Sequence, residues 1–276
     1  MNDLTIFVFN TMTYWLMTHL LKKEKKYSYI EAGEGTPIIV LHGLMGGLSN
    51  FDAVIDFFSS KGYKVIIPEL PIYTMTLLKT NVKSFAKYLH DFIAFKGFDE
   101  VILLGNSLGG HIGLYHTKLY PKKVKALIIT GSSGLYESAM GGGYTKRGDY
   151  EVIKKKAQEV FYDPAVATKE IVDEVYETVN DRNKLIKTLA IAKSAIRHNM
   201  ANDLPKMKLP TCIIWGKNDT VTPPEVAEEF NELLPDSELF WIDKCGHAAM
   251  MEHPKEFNDI LDSWLQKRGF WLKIPK

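Results

Sequence analysis

Cysteine is scarce in this chain: 276 residues hold two, Cys212 and Cys245. Two cannot build a framework of bridges, so a core of ordinary size must hold the fold, with free thiols in a reducing, cytoplasmic compartment. Charge of one sign is also missing. Lysine and arginine number 34 against 33 aspartates and glutamates, a net +1. That balance removes the electrostatic reason to expect nucleic acid or an anionic surface as partner. Metal-ligand spacing, a P-loop and a dinucleotide fingerprint are absent, so no metal and no cofactor is expected. A long clean apolar run is lacking too. Residues 4–21 come nearest, but Asn10, Thr11, Thr13, Thr18 and His19 dilute them below a usual membrane span. A secretory signal carries positive charge before its apolar run; here Asp3 precedes it and KKEKK follows. Residues 1–26 are therefore expected to form an apolar helical extension, packed or lying on the surface. Peripheral membrane attachment through 4–21 is the less favoured reading.

What is present is an alternation. Short apolar runs at 27–33, 37–43, 63–70, 100–106, 124–131, 211–216 and 237–243 suit strands buried on both faces of a mostly parallel sheet. Helical patterns lie between them at 49–60, 82–95, 108–120, 224–234 and 254–267. Ser49 or Asn50 and Pro224 read as starts, Gly62 and Gly97 as stops. The alternation breaks once. Between Gly131 and Leu209 only helical stretches occur, near 150–161, 169–179 and 183–200. The chain thus divides into the extension (1–26), an α/β core (27–133 and 206–276) and a helical cap (134–205).

Ligands of open parallel sheets bind beyond the carboxyl ends of the strands. Three reactive side chains follow strand ends there: Ser107 after EVILLGN, Asp219 within WGKND and His247 within IDKCGH. A Gly-x-Ser-x-Gly match alone arises often by chance. In combination, four features resemble the α/β-hydrolase fold: the elbow Gly105-Asn106-Ser107-Leu108-Gly109, His42-Gly43 after a strand, Trp215-Gly216-x-x-Asp219 with Pro223, and Gly246-His247. The resemblance covers about residues 27–268. It implies a mostly parallel sheet flanked by helices, with the cap inserted between core strands.

The same resemblance implies a serine hydrolase acting on a small molecule without a cofactor. Ser107 would be the nucleophile and His247 its base, with Asp219 orienting the imidazole. The backbone N–H groups of Leu44 and Leu108 would form the oxyanion hole, where losing one donor typically costs ~10²–10³ in rate. His42, Gly43, Asn106 and Ala248 are expected around the substrate, with His42 shaping the loop. The rivals have plainer readings. His111 and His116 lie inside the helix after the elbow, His253 begins the last helix, and Cys245 is a packed thiol. Asp243 is expected as a second partner near His247. Met45, Phe51, Met250 and Met251 fit either core or pocket wall.

Asn106 before the serine and the later GSSGL make the elbow similar to that of the meta-cleavage-product hydrolases, which split carbon–carbon bonds in vinylogous diketones. The chain departs from that pattern at three places. Ala248 stands where those enzymes have tryptophan. Residues 176–180 lack their cap arginine, leaving Arg182 or Arg197 as substitutes. The loop at 69–75, ELPIYTM, is apolar and free of glycine. On these departures the expected activity is hydrolysis of a carboxylic ester in an apolar pocket. The carbon–carbon hydrolase is the alternative, and a non-catalytic ligand-binding protein on the same fold is a third reading.

Overall fold

A computed structural model describes residues 19–136 and 146–270. The helical reading of 4–21 therefore lies almost wholly outside the described residues. At its end, buried His19 meets Asp56 (Nε2 to Oδ1, 2.9 Å), while Leu20 and Leu21 are exposed.

The described strands are β1 (Lys22–Glu24), β2 (Tyr27–Ala32), β3 (Thr36–Leu41), β4 (Tyr63–Pro68), β5 (Val101–Asn106), β6 (Val124–Thr130), β7 (Thr211–Gly216) and β8 (Ser237–Ile242). They form one sheet in the order β1-β2-β4-β3-β5-β6-β7-β8, with the β1–β2 and β2–β4 pairs antiparallel and the other pairs parallel. The apolar runs do what unbroken hydrophobicity predicts: β5 and β7 are buried at every residue. Side chains alternate between two cores, as the period of two requires. Ile39, Leu41 and Leu103 face one core; Ile38, Val40, Ile102 and Leu104 face the other.

On the first face pack α2 (Val82–Phe95), α3 (Leu108–Leu119) and α7 (Pro224–Leu233); on the second, α1 (Asp52–Ser59) and α9 (Pro254–Lys267). A one-turn helix α8 (Ala249–Glu252) precedes α9. The cap helices α4 (Tyr150–Gln158), α5 (Lys169–Asn180) and α6 (Arg182–Arg197) enter between β6 and β7. Their starts are fixed by side chains that satisfy otherwise orphaned N–H groups. Asp149 accepts from Glu151 and Val152, Thr168 from Ile171, and Asp181 from Asn183 and Lys184.

Two local expectations change. Residues 22–24, read as part of the helical extension, pair as β1 with β2 across a turn in which Lys25 takes φ 53°. Ser49 and Asn50 are not the start of α1: they lie in a 3₁₀ turn, Leu48–Phe51, and α1 begins at Asp52.

Candidate active site

The elbow is a steric construction. Ser107 takes φ 54° and ψ −119°, a strained conformation for a residue with a side chain, costing about 1–3 kcal/mol. Strain of this kind persists only where the surroundings hold it. The Ser107 N–H donates to Thr130 O (3.1 Å), while its carbonyl accepts from His111 N and Ser133 N, each at 3.2 Å. Close packing of α3 on β3 explains Gly109: a Cβ there would stand 2.1 Å from the carbonyl oxygen of Leu41. Leu108 opens α3, its side chain turned into the core and its N–H at the orphaned end of the helix.

Asp219 lies after β7 and is 3% exposed. Its carboxylate receives four donors. Val221 N (2.8 Å) and Thr222 N (2.9 Å) reach Oδ1; Thr222 Oγ1 (2.8 Å) and His247 Nδ1 (2.9 Å) reach Oδ2. Every lone pair is used, so the carboxylate is held in one orientation without water. A carboxylate only accepts, which puts the proton on Nδ1 of His247 and leaves Nε2 as the basic nitrogen. Thr222 Oγ1 lies 3.2 Å from the same Nδ1, and Trp215 Nε1 donates to Thr222 O (2.9 Å), anchoring the loop.

Asn106 ties the elbow to the histidine loop. Its Nδ2 donates to Thr130 O and to His247 O, each at 3.1 Å. Gly131, just past β6 at φ 50°, leaves space for the imidazole: a Cβ would stand 2.8 Å from His247 Nδ1. Gly131 opens the GSSGL stretch, whereas Thr222, three residues after Asp219, carries no signal of its own in the sequence.

These loops open into a cavity of about 610 Å³ lined by Ser107, His247, Asn106, Gly43, Leu44 and Ala248, among others. The cap closes it with Lys156, Ala157 and Glu159 to Phe161 from the end of α4, and Ile171, Glu174 and Val175 from α5. Partial removal from water holds the Glu174 carboxyl above its usual range, with Glu177 adding repulsion and Lys184 opposing it. Met45 and Met251 belong to the cavity wall; Phe51 and Met250 belong to the core.

Several expected residues lie elsewhere. His42 is set back from the wall and braces a loop. Its Nε2 accepts from Leu70 N (3.0 Å) and its Nδ1 donates to Gly43 O (2.9 Å), while burial keeps the ring neutral by lowering its pKa. Asp243 is exposed and faces Lys217 at 3.7 Å, so it is no partner of His247. Arg182 and Arg197 stand at the two ends of α6, outside the lining. The 69–75 loop is also outside it; Leu70 and Ile72 are buried in the first core. Its apolar character serves packing, and the argument it lent to an ester substrate falls away.

The sequence profile of the alpha/beta hydrolase fold matches residues 36–254. Among curated proteins, the chain is 30% identical over 257 residues to the 2-hydroxy-6-oxo-6-(2'-aminophenyl)hexa-2,4-dienoic acid hydrolase of Metapseudomonas resinovorans, covering 87% of this chain and 88% of the relative. A 2-hydroxy-6-oxononadienedioate/2-hydroxy-6-oxononatrienedioate hydrolase of Pseudomonas sp is 26% identical, covering 86% and 90%. Among solved structures, an alpha/beta hydrolase enzyme from the metagenome of sediments from the lagoon of Mar Chica, Morocco, is 64% identical, with a TM-score of 0.76 and coverage of 90% of this chain and 99% of that one. The expectation of a simple carboxylic-ester hydrolase is corrected by the two curated relatives, both named as hydrolases of 2-hydroxy-6-oxo unsaturated acids. With its profile match and its serine, histidine and aspartate at the strand ends of one sheet, the chain belongs to the alpha/beta hydrolase fold family and is a hydrolase.

Proposed function

We propose that the protein hydrolyses a carbon–carbon bond in a 2-hydroxy-6-oxo-dienoate, with Ser107, His247 and Asp219 as the catalytic triad. The observation that carries this reading is the similarity to the aminophenyl hexadienoate hydrolase across 87% of the chain. Asn106, in the residue before the serine, agrees with it. In the proposed reaction Ser107 Oγ adds to the C6 carbonyl while His247 Nε2 takes its proton. The Leu44 and Leu108 N–H groups receive the developing oxyanion. With the dienol in its 2,6-dioxo tautomer, the hydroxyl proton having moved from O2 to C5, the C5–C6 bond then breaks; its electron pair is delocalised onto O2 as a dienolate, which takes the proton from His247. Water, activated by His247, releases the acid from Ser107. One water is consumed and no oxidant is needed.

The substrate also carries a carboxylate, and a cation should meet it. Among the described residues lining the cavity, Lys156 is the one lysine or arginine. We assign it the place that the sequence left to Arg182 or Arg197. The helical cap, 134–205, then acts as the substrate-selecting unit above the core.

Purified protein given 2-hydroxy-6-oxo-6-phenylhexa-2,4-dienoate in ¹⁸O-water should form benzoate and 2-hydroxypenta-2,4-dienoate, with the label in benzoate. Ser107→Ala should form neither. Wild-type protein that leaves the dienoate intact would refute this function.

A further inference from the structure

Glu252 does not line the cavity, yet its carboxylate joins the two parts of the molecule that form it. One oxygen, Oε2, accepts from the N–H of Gly246, the residue before His247, at 2.6 Å. The other, Oε1, accepts from the N–H of Asp163 in the cap, also at 2.6 Å. Both bonds are short and charge-assisted, the strong class of protein hydrogen bond.

The cap segment between these contacts, residues 159–163, is stitched to the catalytic loops at two more points. Val160 O accepts from the N–H of His247 (2.9 Å), and Glu159 O from the hydroxyl of Thr220 (3.1 Å), next to Asp219. Gly246 permits the approach: a Cβ there would stand 2.6 Å from Val160 O and 2.9 Å from Phe161 Cα. A displacement of 159–163 must therefore pull on the backbone of His247. The imidazole in turn keeps Asp219 only within a 2.9 Å bond.

We infer that Glu252 is a positioning residue, a clasp that makes docking of the end of α4 a condition for the His247–Asp219 pair. The inference concerns the triad proposed above and does not depend on the identity of the substrate. Asp219 and Thr222 from the β7 loop meet His247. Ser107, and Lys156, Glu159 and Glu174 from the cap, line the same cavity as its ring. Cys245 adjoins it on its own loop, with burial and Glu252 keeping the thiol protonated.

A fluorophosphonate probe reads the clasp without any natural substrate, because its rate reports serine activation. Glu252→Gln retains the size of the side chain but sets an NH₂ against one of two N–H donors. Its labelling rate should fall about tenfold, the worth of one such hydrogen bond. The downfield Nδ1 proton resonance of His247 should weaken, and Glu252→Asp should recover part of the rate. If wild type is not labelled, the triad itself is wrong. If wild type is labelled, and the variant keeps its labelling rate and its resonance, Glu252 is merely structural and the clasp is refuted.

Discussion

Beneath the cavity, elements pack directly on the sheet along their length; above it, the cap meets them at a few points. In the floor, α3 comes so near β3 that a methyl group on Gly109 would overlap Leu41 O, and Asp219 is saturated by four donors. In the roof, α4 and α5 place Lys156, Glu159 and Glu174 at the wall, and the end of α4 is joined to the floor by Glu252 and a few carbonyls. The floor leaves no freedom in the position of Ser107, so its chemistry is set by the fold. The roof can change one side chain without disturbing the sheet. Under the proposed function, substrate choice belongs there.

The sharpest way to break this contrast is Gly109→Ala. Its Cβ would collide with a backbone oxygen that cannot move without shifting β3, so unfolding stability should drop by at least about 3 kcal/mol, measured by urea denaturation. A loss under about 1 kcal/mol would mean that the floor yields as readily as the roof.

Proton uptake gives the next effect. His116, in α3, is buried with neither ring nitrogen hydrogen-bonded among the described residues, and its pKa is lowered to about 3 by burial and by His90. His111 is likewise lowered to about 3 by burial and His198. The unfolded chain protonates these histidines below about pH 6.5 and the folded chain resists. Their contribution is complete above pH 6.5 and is lost as pH falls toward 3. At pH 5 each should cost about 2 kcal/mol. His116→Leu should flatten the pH dependence of stability by one histidine, measured by denaturation between pH 7 and 4.5. An unchanged slope would show that His116 is protonated in the fold.

The roof should respond in binding. Lys156→Met should raise KM for the phenyl dienoate about tenfold with kcat little changed, as one lost charge-assisted contact predicts, and Lys156→Arg should stay near wild type. Steady-state kinetics at constant ionic strength decides it; a fall confined to kcat would remove Lys156 from carboxylate binding.

This same division explains what could be read in the chain. Strands such as VILLGN and TCIIWG announce themselves because burial on both faces keeps their middle positions apolar, and Ser107, Asp219 and His247 follow from their places after strand ends. Charged β1 carries no such signal: Lys22–Glu24 is a strand only because β2 offers a free edge. The 69–75 loop looked like a pocket wall because apolarity does not say which apolar region it joins; Leu70 and Ile72 go to the core. Thr222 and Glu252 act through contacts with groups distant in sequence, Thr222 on His247 and Glu252 on Asp163, so their types alone give no clue. The cap was legible as helices, whereas the faces those helices turn to the cavity were not.

The proposed function makes this hydrolase a breaker of carbon–carbon bonds. The most direct measurement is kcat/KM for 2-hydroxy-6-oxo-6-phenylhexa-2,4-dienoate beside p-nitrophenyl acetate on one preparation. Under the proposed function the dienoate should be preferred by about 100-fold or more. Faster turnover of the ester would contradict the account.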